Sequence, residues 1–203
     1  MTRLHNNLSR RTFGAGFIAA TATTLVPTSV LALTEASAKT LVDSIVGKIN
    51  TVISSGKSEA AMLREFESIF VRYADVPTIA RYALGADARS LSGSEMSAFT
   101  KAFQGYISRK YGRRFREFIG GKIEVNGSKK VKSFYEVKTT AYLRGSSPFA
   151  VTFLVSDRSG KDLFFNMFIE GINLLLTERT EIGAMLDRRK GNIQALINDL
   201  KTA

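Results

Sequence analysis

At residue 122 the spacing of apolar side chains changes. Before it they recur every three or four residues, and after it every second residue as far as 169. The first spacing gathers side chains on one face of a helix, the second on one face of a strand. Beyond Gly171 a helical period returns. Strands gathered between two groups of helices, with no alternation of the two, predict an α+β fold. The expected form is a curved antiparallel sheet with helices packed on one face, enclosing an apolar cavity.

Four helices are expected first. Leu41, Ile45, Ile49, Val52 and Ile53 predict one over 36–54, stopped by Ser54-Ser55-Gly56, and Leu63, Phe66, Ile69, Phe70 and Tyr73 a second over 58–73. In 75–85, Asp75 suits an N-cap, Pro77 the first turn and Gly85 the stop. Its Val76, Ile79, Ala80, Ala83 and Leu84 then face something apolar. Ser92 and Glu95 form a capping box that opens the longest helix, 93–119. One side of it carries Met96, Phe99, Phe103, Tyr106, Ile107, Tyr111, Phe115, Phe118 and Ile119. The other carries Lys101, Arg109, Lys110, Arg113, Arg114 and Arg116.

The strand region predicts a short strand over 123–126 with a turn at Gly127-Ser128, then strands over 134–143 and 149–156. A last strand places Leu163, Phe165, Met167 and Ile169 on one face, with Asn166 and Glu170 opposite. Connections this short make an antiparallel meander. Helices over 177–189, with Thr177 as cap, and 192–200, with Asn192 as cap, close the chain.

Compartment is read from the first 32 residues. Ser9-Arg10-Arg11-Thr12-Phe13 has the form of a twin-arginine export signal, an apolar Ala/Gly/Thr-rich run follows, and Val30-Leu31-Ala32 offers small residues for cleavage, with Ala36-Ser37-Ala38 as a second option. An uncleaved anchor is the alternative, and Gly14, Gly16 and Pro27 weaken it. A single domain, 33–203, would remain. Three of the 29 basic residues and none of the 18 acids lie in that segment, so the formal charge falls from +11 to +8. There is no cysteine, and the one histidine, His5, lies inside the signal. The exported domain would lack the side chains of Ser-His-Asp and Cys-His catalysis and of ordinary zinc sites. No His- or Cys-based catalytic residue, metal or cofactor is therefore expected.

Three candidate surfaces emerge. The aromatic ridge is either core or the wall of a cavity. The basic residues 109–116 are either a solvated face or a docking surface for acidic partners or anionic headgroups. Nucleic-acid binding is disfavoured, because export removes the chain from nucleic acid and the aromatics lie opposite most of the charge. Asp162, Glu170 and Tyr106 would serve an isomerase or dehydratase working in the same cavity. A carboxylate buried in the cavity would favour that alternative, whereas a cavity that only binds should contain none.

Three stretches carry a family resemblance. Residues 169–179, I-E-G-I-N-L-L-L-T-E-R, resemble the V-E-G-V-S-L-V-x-N-Y-R segment of the MlaC-type, or toluene-tolerance, family. Residues 75–85, D-V-P-T-I-A-R-Y-A-L-G, resemble its D-x-x-x-I-A-R-x-V-L-G. Residues 91–111, with F-x-x-A-F-x-x-Y-I-x-x-x-Y, are similar to its F-x-x-A-F-x-x-Y-L-x-x-T-Y. Asn173 stands where that pattern has Ser, and Thr177-Glu178-Arg179 keeps only the arginine of N-Y-R. The resemblance implies a periplasmic carrier of phospholipid, or of a hopanoid-like lipid, that maintains outer-membrane asymmetry. Its partners would be an inner-membrane ABC transporter complex and an outer-membrane lipoprotein/porin complex. On that reading Val76, Ile79, Leu84, Phe99, Phe103, Tyr106, Val137, Val151, Phe153 and Met167 are expected as lipid-binding walls. Arg81, Arg109, Lys110, Arg113, Arg114 and Arg116 are expected to dock the partners.

Overall fold

The computed structural model describes residues 32–203, the side chains of 114–116 excepted. The expected signal therefore lies, but for Ala32, outside the described residues. Six helices and a five-stranded antiparallel sheet of order β1-β2-β3-β4-β5 make an α+β fold. Three helices lead: α1 (Glu35–Ile53), α2 (Glu59–Tyr73) and α3 (Val76–Leu84). After one 3₁₀ turn comes α4 (Gly93–Gly112). The meander follows: β1 (Lys122–Val131), β2 (Phe134–Tyr142), β3 (Phe149–Ser156), β4 (Leu163–Ile169) and β5 (Ile172–Asn173). Helices α5 (Leu174–Arg188) and α6 (Ile193–Thr202) end the chain.

The caps form where side chains can satisfy the free N–H groups of a first turn. Thr34 and Ser92 make reciprocal capping boxes, Asp75 accepts from Thr78 N–H at 3.2 Å, and Asn192 from Ala195 N–H at 3.0 Å. Helix α1 lies on the inner sheet face. Its Val42, Ile45, Val46 and Ile49 are buried, and Asn50 clasps the first strand by exchanging two 2.9 Å hydrogen bonds with the backbone of Ile123. Helix α4 packs on α2, α3 and α6.

Four boundaries differ from the expected ones, each for a local reason. Strand β1 runs on to Val131 and turns at Lys132-Ser133. Asn126 is the extra residue of a bulge, held by its 2.8 Å hydrogen bond to Thr140 Oγ1, and Gly127 re-enters the ladder instead of turning. An edge strand half in solvent shows no apolar alternation, which is why its second half read as a turn. The longest helix stops at Gly112 and tightens into a 3₁₀ segment, Arg113–Phe118. A Cβ at Gly112 would overlap the Leu63 side chain, so this glycine lets α2 approach α4 closely.

The other two boundaries lie together. Helix α5 starts at Leu174, three residues before the expected Thr177. Asn173 caps it, accepting from Leu176 N–H at 3.1 Å. Before it, Glu170 and Gly171 both have positive φ, 50° and 81°, the two-residue turn that matches the twist of a hairpin. In β4 a bulge at Phe165 changes the faces. Val155 pairs with Phe164, Phe153 with Met167 and Val151 with Ile169, so Phe164 takes the inner position expected of Phe165. The Phe164 carbonyl then receives Asp75 N–H at 2.8 Å, tying the sheet to the start of α3.

Candidate functional site

Sheet and helices do not close on one another. Between them lies a cavity of about 340 Å³, at the low end of ligand-pocket volumes. Its floor is the inner sheet face, Val151, Phe153, Phe164, Met167 and Ile169. Helix α1 adds Ile45 and Ile49, α2 adds Phe66, Ile69 and Phe70, and α3 adds Ile79. Helix α4 turns Ile107, Ser108 and Tyr111 to it, and α5 brings Leu174, Leu175 and Glu178. Aromatic rings knit the floor to its sides. Phe164 meets Phe153 edge-on at 5.6 Å and Phe70 at 6.2 Å, and Phe118 meets Phe149 at 6.0 Å.

One flank of the wall is polar. On α5 the buried stripe Leu175, Glu178, Ile182 and Leu186 contains an acid, and Glu178 is 3% exposed. Its Oε1 receives Lys110 Nζ at 2.7 Å and the Tyr111 hydroxyl at 2.5 Å. Lys110 also pairs with Glu181, whose Oε2 accepts the Tyr106 hydroxyl at 3.0 Å. The ammonium sits 5.5 and 5.4 Å from the centroids of the Tyr106 and Tyr111 rings. Burial, with the charge of Glu178 behind it, pushes the Tyr106 hydroxyl up to about 12. Burial and then its hydrogen bond to Glu178 hold Tyr111 well above the ordinary tyrosine range. Burial opposes the charge on Lys110, and the hydrogen bonds to Glu178 and Glu181 outweigh it, so Lys110 is raised. Burial likewise opposes the charge of Glu181, and its donors Lys110 and Tyr106 prevail to lower it.

These shifts fix a sign for stability against pH. Tyr106, Tyr111 and Lys110 all hold their protons more tightly folded than unfolded. Their stabilisation is complete below about pH 10 and is lost as pH climbs past that value. The melting temperature should fall above about pH 10, in step with a late rise of tyrosinate absorbance. A rise complete before the fold loosens would contradict the network.

Of the ten expected wall residues, Ile79, Val151, Phe153 and Met167 line the cavity. Val76, Leu84, Phe99, Phe103, Tyr106 and Val137 are buried but are not part of its lining. Phe99 stacks on Phe103 at 5.8 Å inside the helical layer. Helix α4 thus has two apolar sides, one closing the core and one, with Ile107 and Tyr111, facing the cavity. Of the basic residues, Arg81 and Arg113 are exposed. Arg109 is turned inward upon α6, donating to the carbonyls of Leu200 and, at 2.9 Å, Ala203. Lys110 is engaged as above. The side chains of Arg114 and Arg116 lie outside the described residues.

The three acid–base candidates fall in different settings. Asp162 stands beside Asp157 and Ser37, away from the cavity lining, and burial raises its carboxyl with the charge of Asp157 adding. Glu170 sits exposed in the β4–β5 turn at the cavity rim, and Tyr106 is bonded to Glu181. Glu178 was not among the expected site residues. Its signal was an acid placed in an otherwise apolar 3-4-4 stripe. No group of three or more His, Cys, Asp or Glu among the described residues could hold a metal ion, and no helix among them is long and apolar enough to cross a membrane.

The stretches that carried the resemblance meet here. Arg179 of the third lies over the Tyr82 ring of the first, 5.1 Å from its centroid. A Cβ on Gly85, at φ 70°, would come within 3.3 Å of the same guanidinium. The family described as MlaC protein matches residues 39–202. A solved phospholipid-binding protein from Ralstonia solanacearum, determined in complex with a phospholipid, shares the fold. The TM-score is 0.66, the identity 17%, and the match covers 82% of this chain and 93% of that one. Among curated proteins no match is found.

Proposed function

Since the chain belongs to the MlaC family, we propose that it is a periplasmic carrier whose cavity holds the hydrocarbon of a phospholipid or a related lipid such as a hopanoid. The cavity itself is the observation that carries this reading. Carrying a lipid through water is a problem of apolar area. Roughly thirty methylenes at about 0.8 kcal/mol each make unaided transfer cost on the order of 20 kcal/mol. An apolar space walled by aromatic and aliphatic side chains offsets that cost without any bond being made or broken. Ile79, Val151, Phe153 and Met167 would touch the acyl chains. Val76, Leu84, Phe99, Phe103, Tyr106 and Val137 would support that wall from behind.

On this reading the chain leaves the cytoplasm by its twin-arginine segment. It then moves lipid between an outer-membrane complex and an inner-membrane ABC transporter complex, which sustains outer-membrane asymmetry. Exposed Arg81 and Arg113 fit a docking role. Arg114 and Arg116 are proposed beside them, whereas Arg109 and Lys110 would contribute by shaping the face. Glu178 is the feature that favours an isomerase or dehydratase instead, and membership in this family weighs against it. The deciding measurement is mass spectrometry of an organic extract of purified protein. About one lipid per protein chain is expected, and no lipid in several independent preparations would defeat the carrier reading.

A further inference from the structure

The antiparallel register gathers the entry to β1, the β2–β3 loop and the β4–β5 turn at one end of the sheet. Lys122 pairs with Tyr142, Ala141 with Phe149, Val151 with Ile169, and Ile169 with Ile172. Ile123, Leu143, Phe149, Ile169 and Glu170 of that end line the cavity. So do Glu117 and Phe118 of the 3₁₀ segment that leads into β1. Glu117 and Glu170 are the exposed residues of the lining, so the cavity opens here.

Five large apolar side chains among the described residues are exposed, and three of them stand at this opening. Ile119, 46% exposed, follows Phe118 on one side. Ile172 and Leu176, 60% and 52% exposed, follow Glu170 on the other. Directly opposed residues of an antiparallel pair share a face, so Ile172 extends the floor from Ile169 out into solvent. The remaining two lie elsewhere. Tyr82 is beneath the Arg179 guanidinium, and Val71 comes just before Ala74, which bridges Phe164 towards the far end of β4. Single exposed aliphatic groups are ordinary; three flanking an apolar opening mark a contact surface.

The chemistry of that contact follows from the opening between them. A lipid passing from a bilayer to the cavity across water meets the cost estimated above, and tips seated among headgroups remove the gap. A fluid surface also closes round separate projections on either side of a hole. The segments that meet at this end, 113–124, 142–149 and 169–176, hold five basic residues against three acids, which suits anionic lipid. Resting on the carrier reading above, we propose that this end of the molecule seats directly on a bilayer containing anionic lipid. Ile119, Ile172 and Leu176 enter its headgroup layer.

The chain has no tryptophan, so one introduced residue is an unambiguous probe. The full chain carrying Ile119→Trp, Leu176→Trp or, as control, Val71→Trp is mixed with vesicles of phosphatidylcholine and phosphatidylglycerol in equal parts, brominated along the acyl chains. Emission of the first two should fall about twofold, as expected of side chains at the acyl boundary, and that of Val71→Trp should hold. Replacing phosphatidylglycerol by phosphatidylcholine should raise the lipid needed for half the quenching about tenfold. No quenching at 119 and 176 would overturn the proposal and leave this end to a protein partner. Equal quenching at all three positions, or no dependence on phosphatidylglycerol, would overturn it as well. Where circular dichroism shows that a tryptophan variant does not fold, Ile172→Asn with Leu176→Asn decides. The pair should slow lipid uptake from the vesicles about tenfold, the worth of two partly buried aliphatic groups, and an unchanged rate overturns the proposal. The carrier reading is judged separately, by the lipid extracted from the purified wild type.

Discussion

Replacing Lys110 by methionine should destabilise the protein by about 3 kcal/mol, the lower end of the cost of stripping a buried carboxylate of its partner. The lower end applies because the Lys110 side chain keeps 27% of its exposure while that of Glu178 keeps 4%. For a domain of this size that is a fall of about 6–12 °C in melting temperature. Adding Glu178→Leu should restore at least half of the loss, because the uncompensated charge goes and an apolar group of similar volume takes its place. Part will stay lost, since the Tyr111 hydroxyl then has no acceptor. Thermal melts of the two singles and the double close the cycle. A cost below about 1 kcal/mol for Lys110→Met would mean that Glu178 is solvated and that the polar flank is no buried network.

Phe103 and Met167 should separate core from cavity. Phe103 is 0% exposed and not part of the lining. Phe103→Ala should cost about 3–5 kcal/mol through lost burial and the void left behind. The fraction that folds should still carry lipid. Met167 stands half-buried on the cavity floor beside Phe153. Met167→Asp should leave most of the stability in place and empty the site of lipid, because a carboxylate there meets hydrocarbon on loading. Urea titration and lipid extraction on the same samples give both numbers. A Phe103→Ala protein of normal stability that has lost its lipid would place Phe103 in the wall after all.

Element type was readable because side-chain period reports the face that must be buried. The caps at Asp75, Ser92 and Asn192 could be named because each depends on a side chain and the few residues after it. The boundaries that moved depend on partners distant in sequence. Strand β1 continues because β2 offers it a ladder. The inner position in β4 went to Phe164 because a bulge against Leu154 and Val155 shifts the alternation by one. Neither partner can be seen from the strand alone.

The same distinction runs through the site. Helical spacing shows that Phe99, Phe103 and Tyr106 are buried, but it does not say whether the neighbour is protein or empty space, and that was settled by which side of α4 the sheet leaves uncovered. Phe66, Phe70 and Phe164 joined the wall for the same reason. The basic residues were legible as charges; that Arg109 and Lys110 are spent on carbonyls and carboxylates of α6 and α5 was not. Local pattern fixes what each segment must hide, because hydrophobic burial and capping act over a few residues. Where sheet and helices stop short of each other, and which acid is trapped at that edge, follow from contacts between segments some seventy residues apart, such as Tyr111 on Glu178, and so belong to the tertiary structure.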